Sequence, residues 1–154
     1  ESAFMPFAEV AAVYIPCQYW ADGSPFIFTR EDIKKATWNI SVVADISCDI
    51  DGPVASTIRP STIADPIYGY DPISEKEVNF KAEGAIAVMA VDNLPCELPK
   101  DASDDFGNEL IKHVLPVLFG EDPSDIIGRA SQTTLEGTLT PKFAYLQAYA
   151  DGAK

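Results

Sequence analysis

Histidine is nearly absent: His113 is the single imidazole in 154 residues, and Cys17, Cys48 and Cys96 stand isolated from one another. Without a CxxC or Cys–His spacing there is neither a zinc site nor a disulfide framework, and an odd set of unpaired cysteines fits a reducing cytoplasm. Cations are scarce as well. Eleven Lys and Arg face 24 Asp and Glu, a net charge of −13, which argues against nucleic acid as a partner because phosphate binding needs clustered basic residues. Long apolar runs are missing: residues 11–15 and 85–91 are far too short to span a bilayer, and no basic, apolar, small-residue leader is visible. A G-x-G-x-x-G turn, the usual cradle for a dinucleotide pyrophosphate, does not occur either.

What is present supports a packed α/β fold. Hydrophobic residues make up 47% of the chain, enough for a sizeable core. Ala3, Phe4, Phe7 and Ala8 recur at helical spacing, so the first residues read as the end of a helix. Residues 11–16 (AAVYIP) and 41–47 (SVVADIS) are short apolar runs expected as strands. A turn at 21–25 and a small helix at 30–36, capped by Thr29, lie between them. This order predicts adjacent parallel strands in a sheet covered on both faces.

From Asp49 to Phe80 the chain is rich in Pro, Gly, Ser and Asp, so only short strands and turns fit. Ile58, Ile63, Ile67, Tyr68 and Tyr70 are too apolar for a tether and predict an ordered excursion. A third strand is expected at 84–91 (GAIAVMAV). The last third is predicted helical. Pro99 suits a first helical position, and Phe106, Leu110, Ile111 and Val114 form an apolar stripe. Pro116 should kink or end that helix near His113, itself expected as a core or boundary residue. Further helices are expected at 123–130 and at 141–149, the latter capped by Thr140 and burying Phe143, Leu146 and Tyr149.

Three segments carry possible chemistry. Asp49, placed where the second apolar run stops, can meet a ribose hydroxyl or a nicotinamide ring at the crevice where open α/β sheets bind ligands. The pattern alone favours a plainer reading in which Asp49 and Asp51 begin a solvated turn. The segment Asp92-Asn93-Leu94-Pro95 follows the third strand and reads as a polar turn or as the far wall of that crevice. Gln18, Tyr19 and Trp20 follow the first strand, where aromatic rings pack on a cofactor or, more commonly, in the core. Nothing resembles a calcium loop, and no metal is expected.

These same segments resemble, in order and spacing, the saccharopine dehydrogenase (L-lysine-forming) and lysine–oxoglutarate reductase family. They are IPCQYWADGSPFIFTRED, VVADISCDIDG and AVDNLPCELPKDASDDFG. The last two also resemble alanine dehydrogenases, but the Tyr-Trp loop and the DNLP segment favour the saccharopine branch. A nucleotide- or partner-binding α/β module without catalysis is the alternative from a different class.

The resemblance implies an oxidoreductase that interconverts saccharopine with lysine and 2-oxoglutarate, using NAD or NADP, in the cytoplasm. It further implies that residues 1–52 form the second half of a Rossmann-type NAD(P)-binding domain. Residues 53–154 would be a C-terminal segment that in part joins the substrate domain. The family's acid–base Lys and His, and its glycine-rich turn, belong to an N-terminal part that these residues do not contain; no catalytic residue is expected in this chain, and that part is its expected partner. The residue that separates NAD from NADP belongs there too. By position, Asp49 matches the family's cofactor-contacting aspartate. Ile50 replaces a neighbour that is often Thr, Gln18 and Tyr19 fall beside the nicotinamide-side ribose, and Asn93 and Leu94 face the nicotinamide pocket.

Overall fold

The computed structural model describes residues 3–21 and 24–152. Asp22 and Gly23, in the expected turn at 21–25, and Glu1 and Ser2 lie outside the described residues. The chain divides into two compact units, Glu1–Glu97 and Leu98–Lys154.

The first unit is built on a mixed five-stranded sheet of order β1-β2-β5-β3-β4. Its strands are β1 (Val13–Tyr14), β2 (Val42–Ala44), β3 (Ile67–Asp71), β4 (Lys76–Val78) and β5 (Ile86–Met89). β1, β2 and β5 run parallel, in the register Val13–Val42–Ala87 and Tyr14–Val43–Val88. β3 pairs antiparallel with both β5 and β4. The parallel pairing expected of the first two apolar runs is therefore present, and the Pro-rich excursion supplies the antiparallel hairpin. The fold is α/β and compatible with a Rossmann-like domain.

The strands are shorter than the apolar runs that announced them. Pro16 has no amide to extend β1, and after Ala44 the side chain of Asp45 turns the chain. Period-2 alternation sorts the sheet into two faces. Tyr14, Val43, Val88, Tyr68, Ile86 and Tyr70 share one face. There Val43, Tyr70 and Val88 are fully buried against a core that includes Phe28, Ile33 and Ile40. Aromatic packing ties this core to its surroundings. Phe28 lies 4.8 Å from Trp38 in an edge-on contact and 5.7 Å from Phe4, ring centre to ring centre, separations typical of favourable aromatic pairs. Phe4 immediately precedes the short helix α1 (Met5–Ala8), whose Ala8 is fully buried. The opposite face carries Val13, Val42 and Ile67, which are exposed, so the covering expected on both faces is present on one only among the described residues.

Helix α2 (Arg30–Ile33) follows β1 and is shorter than the expected 30–36. Its cap is the expected one, in a fuller form. Thr29 Oγ1 accepts from the Asp32 amide at 3.3 Å, while Asp32 accepts from the Thr29 amide at 2.9 Å, a reciprocal capping box. Lys35, bonded at 2.6 Å, and the Thr29 amide hold the Asp32 carboxyl down to about 2, from an ordinary 3.8. The cap's contribution is thus complete above about pH 4 and is lost as pH falls toward 2.

In the second unit, helix α3 (Pro99–Glu109) starts on Pro99 as expected. The chain then widens into a π turn, Leu110–Val114, before helix α4 (Leu115–Phe119). Regular α-helix therefore does stop short of Pro116, around His113, although the helical run continues through it. The Leu115 amide reaches back to the Leu110 carbonyl, a wide turn of the kind that absorbs strain within a helix. Helix α5 (Ile126–Ala130) is capped by Asp122, which accepts from the Ile126 and Ile127 amides at 2.8 and 2.7 Å. Three expectations need correcting. Phe106 and Ile111 of the apolar stripe are exposed, as is Tyr149. His113 is not in a core; it is half exposed and pairs with Glu109 one turn earlier at 3.3 Å. Thr140 does not cap the final turns: its hydroxyl donates to the Ser131 carbonyl at 2.9 Å instead.

Gly69 sits where β3 passes closest to the end of β4. A Cβ there would lie 2.7 Å from the Asn79 carbonyl oxygen and 2.8 Å from Phe80 Cα, both backbone atoms that cannot swing aside. Gly69→Ala is expected to destabilise the first unit by about 1–3 kcal/mol, the usual cost of overpacking, read as a lower urea midpoint at unchanged slope.

Candidate functional site

The loops that leave β1, β2 and β5 all emerge at the carboxyl ends of parallel strands, the edge where ligands meet such sheets. The middle loop is the most elaborately built. Asp45 is the first residue past β2, and its amide still donates to the Met89 carbonyl at 2.7 Å. Its side chain is completely buried. One carboxylate oxygen accepts from the Ser47 hydroxyl, the Ser47 amide and the Cys48 amide at 2.5, 3.0 and 3.1 Å. The other accepts from the Thr57 hydroxyl at 2.6 Å. Tyr68 closes the far side, accepting from the Ile58 amide at 3.0 Å and donating to the Ser56 carbonyl at 3.1 Å. Both ends of the 45–58 loop are thus fastened to buried side chains.

Between these fastenings the backbone is forced. Cys48 and Asp51 have φ of 53° and 51°, left-handed values that cost a non-glycine residue roughly 1–2 kcal/mol each. Gly52 is required for a different reason. A Cβ on it would fall 2.7 Å from Asp49 Cβ and 2.8 Å from the Asp49 carbonyl oxygen. The turn 49–52 is closed by the Gly52 amide donating to the Asp49 carbonyl at 3.1 Å.

Asp49 lies in this turn, beyond the end of β2 and partly buried. Its carboxylate has no hydrogen-bond or ion-pair partner among the described residues. Ile50 beside it is 40% exposed. From the loop after β1, Gln18 Nε2 approaches the Ser47 hydroxyl at 3.4 Å, joining the first two loops, whereas Tyr19 is 90% exposed. Trp20 turns back on its own loop, donating to the Ser24 carbonyl at 3.2 Å. After β5, Asn93 is exposed and its carbonyl accepts from the Cys96 amide at 3.1 Å, while Leu94 is partly buried at the start of a short 3-10 turn, Leu94–Glu97. The third loop comes near the second. Burial pushes the Cys48 thiol above its ordinary range, and the carboxylates of Asp45, Asp92 and Asp49 add to the effect. Among the described residues no group of three His, Cys, Asp or Glu is arranged to hold a metal ion.

The sequence reading missed Asp45 and Thr57. A signal for Asp45 was there: in Val43-Ala44-Asp45 the alternation puts Asp45 on the buried face with Val43, and Ser47 two residues on can bond back to it. Thr57 carries no local pattern that would single it out.

Asp45→Ala would leave the Thr57 hydroxyl and two loop amides without their acceptor. It is expected to cost about 2–4 kcal/mol of stability. Asp49→Ala should change stability by less than about 0.5 kcal/mol. Urea unfolding of both variants compares them directly.

No family model matches the sequence. Curated proteins do. Alpha-aminoadipic semialdehyde synthase of Arabidopsis thaliana is 26% identical over 140 residues, covering 88% of this chain and 13% of that protein. The mitochondrial alpha-aminoadipic semialdehyde synthase of Mus musculus is 25% identical over 154 residues, 84% of this chain and 16% of its own length. The L-lysine-forming, NAD(+) saccharopine dehydrogenase of Candida glabrata is 30% identical over 126 residues, 73% of this chain and 32% of that enzyme. The chain spans no more than about a third of any of these three relatives. Among the described residues no helix is long and apolar enough to cross a membrane. The chain belongs to the family of saccharopine dehydrogenase (L-lysine-forming) and alpha-aminoadipic semialdehyde synthase.

Proposed function

We propose that this chain supplies the nicotinamide-side wall of an NAD(P) site in an oxidoreductase that interconverts saccharopine with lysine and 2-oxoglutarate. In this reading residues 1–52 are the second half of the Rossmann-type domain, residues 53–154 lead on toward the substrate domain, and the enzyme works in the cytoplasm. The observation that carries it is Asp49: a partly buried carboxylate without a partner among the described residues, on a constrained turn at the carboxyl edge of parallel strands.

The donor set fits one end of a dinucleotide better than the other. Two carboxylate oxygens can each accept from a ribose hydroxyl, and Ile50 and Leu94 offer apolar surface to a ring. Asp45, Asp49, Asp51 and Asp92 make the same edge unfavourable for phosphate. The pyrophosphate then belongs against a glycine-rich turn, which these residues do not include. A bound nicotinamide dinucleotide supplies the hydride. This chain's task is to orient the ribose through Asp49, to border it with Gln18 and Tyr19, and to face the ring with Asn93 and Leu94. Ile50 stands where relatives of this kind often have Thr, so a hydroxyl contact is lost. In this reading the proton is moved by the acid–base Lys and His that the resemblance implies, neither of which is expected among these residues.

Two outcomes are expected. The 154-residue chain alone should show no oxidation of reduced nicotinamide cofactor with lysine and 2-oxoglutarate, since proton transfer needs a positioned acid or base; measurable turnover would overturn this assignment of roles. In the whole enzyme, Asp49→Ala should weaken cofactor binding by about 1–3 kcal/mol, the cost of leaving polar partners unpaired. An unchanged dissociation constant would remove Asp49 from the site.

A further inference from the structure

Asp51 was expected in a solvated turn, and its side chain is indeed 68% exposed. It is nonetheless held. Arg30, the first residue of α2, donates through Nη2 to Asp51 Oδ1 at 3.1 Å and through Nη1 to Glu75 Oε2 at 3.2 Å. Lys34, one helical turn on, takes the other Glu75 oxygen at 2.6 Å. One guanidinium therefore joins three segments: the helix after β1, the loop after β2 and the turn between β3 and β4.

The two carboxylates it grips share an unusual backbone. Asp51 and Glu75 have φ of 51° and 56°, conformations an unrestrained chain would tend to leave. The chain just past the turn is packed inward: residues 52–57 are buried, and the Ile27 and Phe28 amides donate to the Pro53 carbonyl at 3.0 and 3.3 Å. Arg30 and Asp51 both line a cavity of about 350 Å³, together with Phe26, Thr29, Gly52 and Ala55, so the ion pair spans a gap. On its inner side the loop is fastened by Asp45, by Thr57 and by the Asp51 amide donating to the Thr57 carbonyl at 3.1 Å. On the helix side Arg30 adds a side-chain contact at Asp51 itself to those backbone bonds. The turn so clamped is the one in which a Cβ at residue 52 would strike Asp49, so where Asp51 goes, Asp49 follows.

We propose that Arg30 is a positioning residue: through Asp51 it holds the 49–52 turn, and with it the Asp49 carboxylate, in the orientation that faces the cofactor. The role in binding rests on the cofactor reading given above; the clamping of the turn does not. An exposed ion pair of this kind contributes little to global stability and is weakened by salt. It acts on the local order of the turn.

Amide hydrogen exchange on the 154-residue chain tests the clamp without any ligand. Arg30→Gln and Asp51→Asn should each speed exchange at the Asp51 and Gly52 amides about three- to fivefold, and the double variant should do no more than either alone. Salt at 0.5 M should speed the wild-type chain similarly and leave the variants nearly unchanged. Amides of β5 should not respond. Arg59→Gln, which removes an ion pair to Glu77 remote from the turn, should leave the 49–52 amides as they were. Unchanged exchange at Asp51 and Gly52, additive effects, or equal acceleration in β5 would overturn the clamp.

NADH titration of the whole enzyme then separates the two readings. A severalfold weaker binding in Arg30→Gln, abolished as a difference when Asp49 is already Ala, supports the positioning role. If the turn loosens but NADH affinity stays the same in both Arg30→Gln and Asp49→Ala, the clamp stands and the cofactor reading fails. If Asp49→Ala weakens binding and Arg30→Gln does not, the positioning role is overturned and the cofactor reading survives.

Discussion

A carboxylate sealed from water at the end of an internal strand organises the loop that follows β2. Burying such a group is costly unless its acceptor sites are filled, and around Asp45 they are filled by donors from Ser47, Cys48 and Thr57. Those donors come from both ends of one loop. Satisfying Asp45 therefore determines where the loop leaves the sheet and where it returns, and only a narrow set of conformations remains for residues 48–52. The left-handed backbone at Cys48 and Asp51 and the need for glycine at 52 follow from that confinement. Strain of this kind persists only when the surroundings over-determine it.

Much of the architecture was readable from periodicity and punctuation. Val13, Val42 and Ile86 fall inside the apolar runs that became the parallel strands, Thr29 precedes Asp32 by the spacing of a capping box, and Pro99 opens a helix. The position of β3 was not readable. Tyr68 and Tyr70 announce burial, yet nothing local says that their strand inserts beside β5 and runs against it, because strand order is decided by contacts between distant segments. The exposure of Phe106 and Ile111 was hidden for a similar reason: a stripe at helical spacing says which side is apolar, not what it meets.

In the loop after β2, the sequence pointed to the wrong carboxylate for the strand's end. In Val-Val-Ala-Asp-Ile-Ser the apolar character runs past Asp45, so composition placed the strand's end later, at Asp49. Side-chain parity decides otherwise: Asp45 shares the inward face with Val43 and meets donors that local reading could not supply. The two aspartates have different duties as a result. Asp45 is spent on the protein's own structure, and Asp49 keeps its acceptors free among the described residues. Resemblance across three separated segments identified the family where no single motif would have done so.

The sheet has a second face, and its character has a colloidal consequence. Val13, Val42 and Ile67 present apolar surface outward, and no element of the first unit covers it among the described residues. Two copies meeting there would gain by shedding water. Opposing that attraction is the net charge of −13, which keeps like-charged particles apart at a range set by the ionic strength. The acidic surface in this sense acts on behalf of a few valine and isoleucine side chains. Acid that neutralises the carboxylates, or salt that shortens the reach of their field, removes the barrier while leaving the attraction in place.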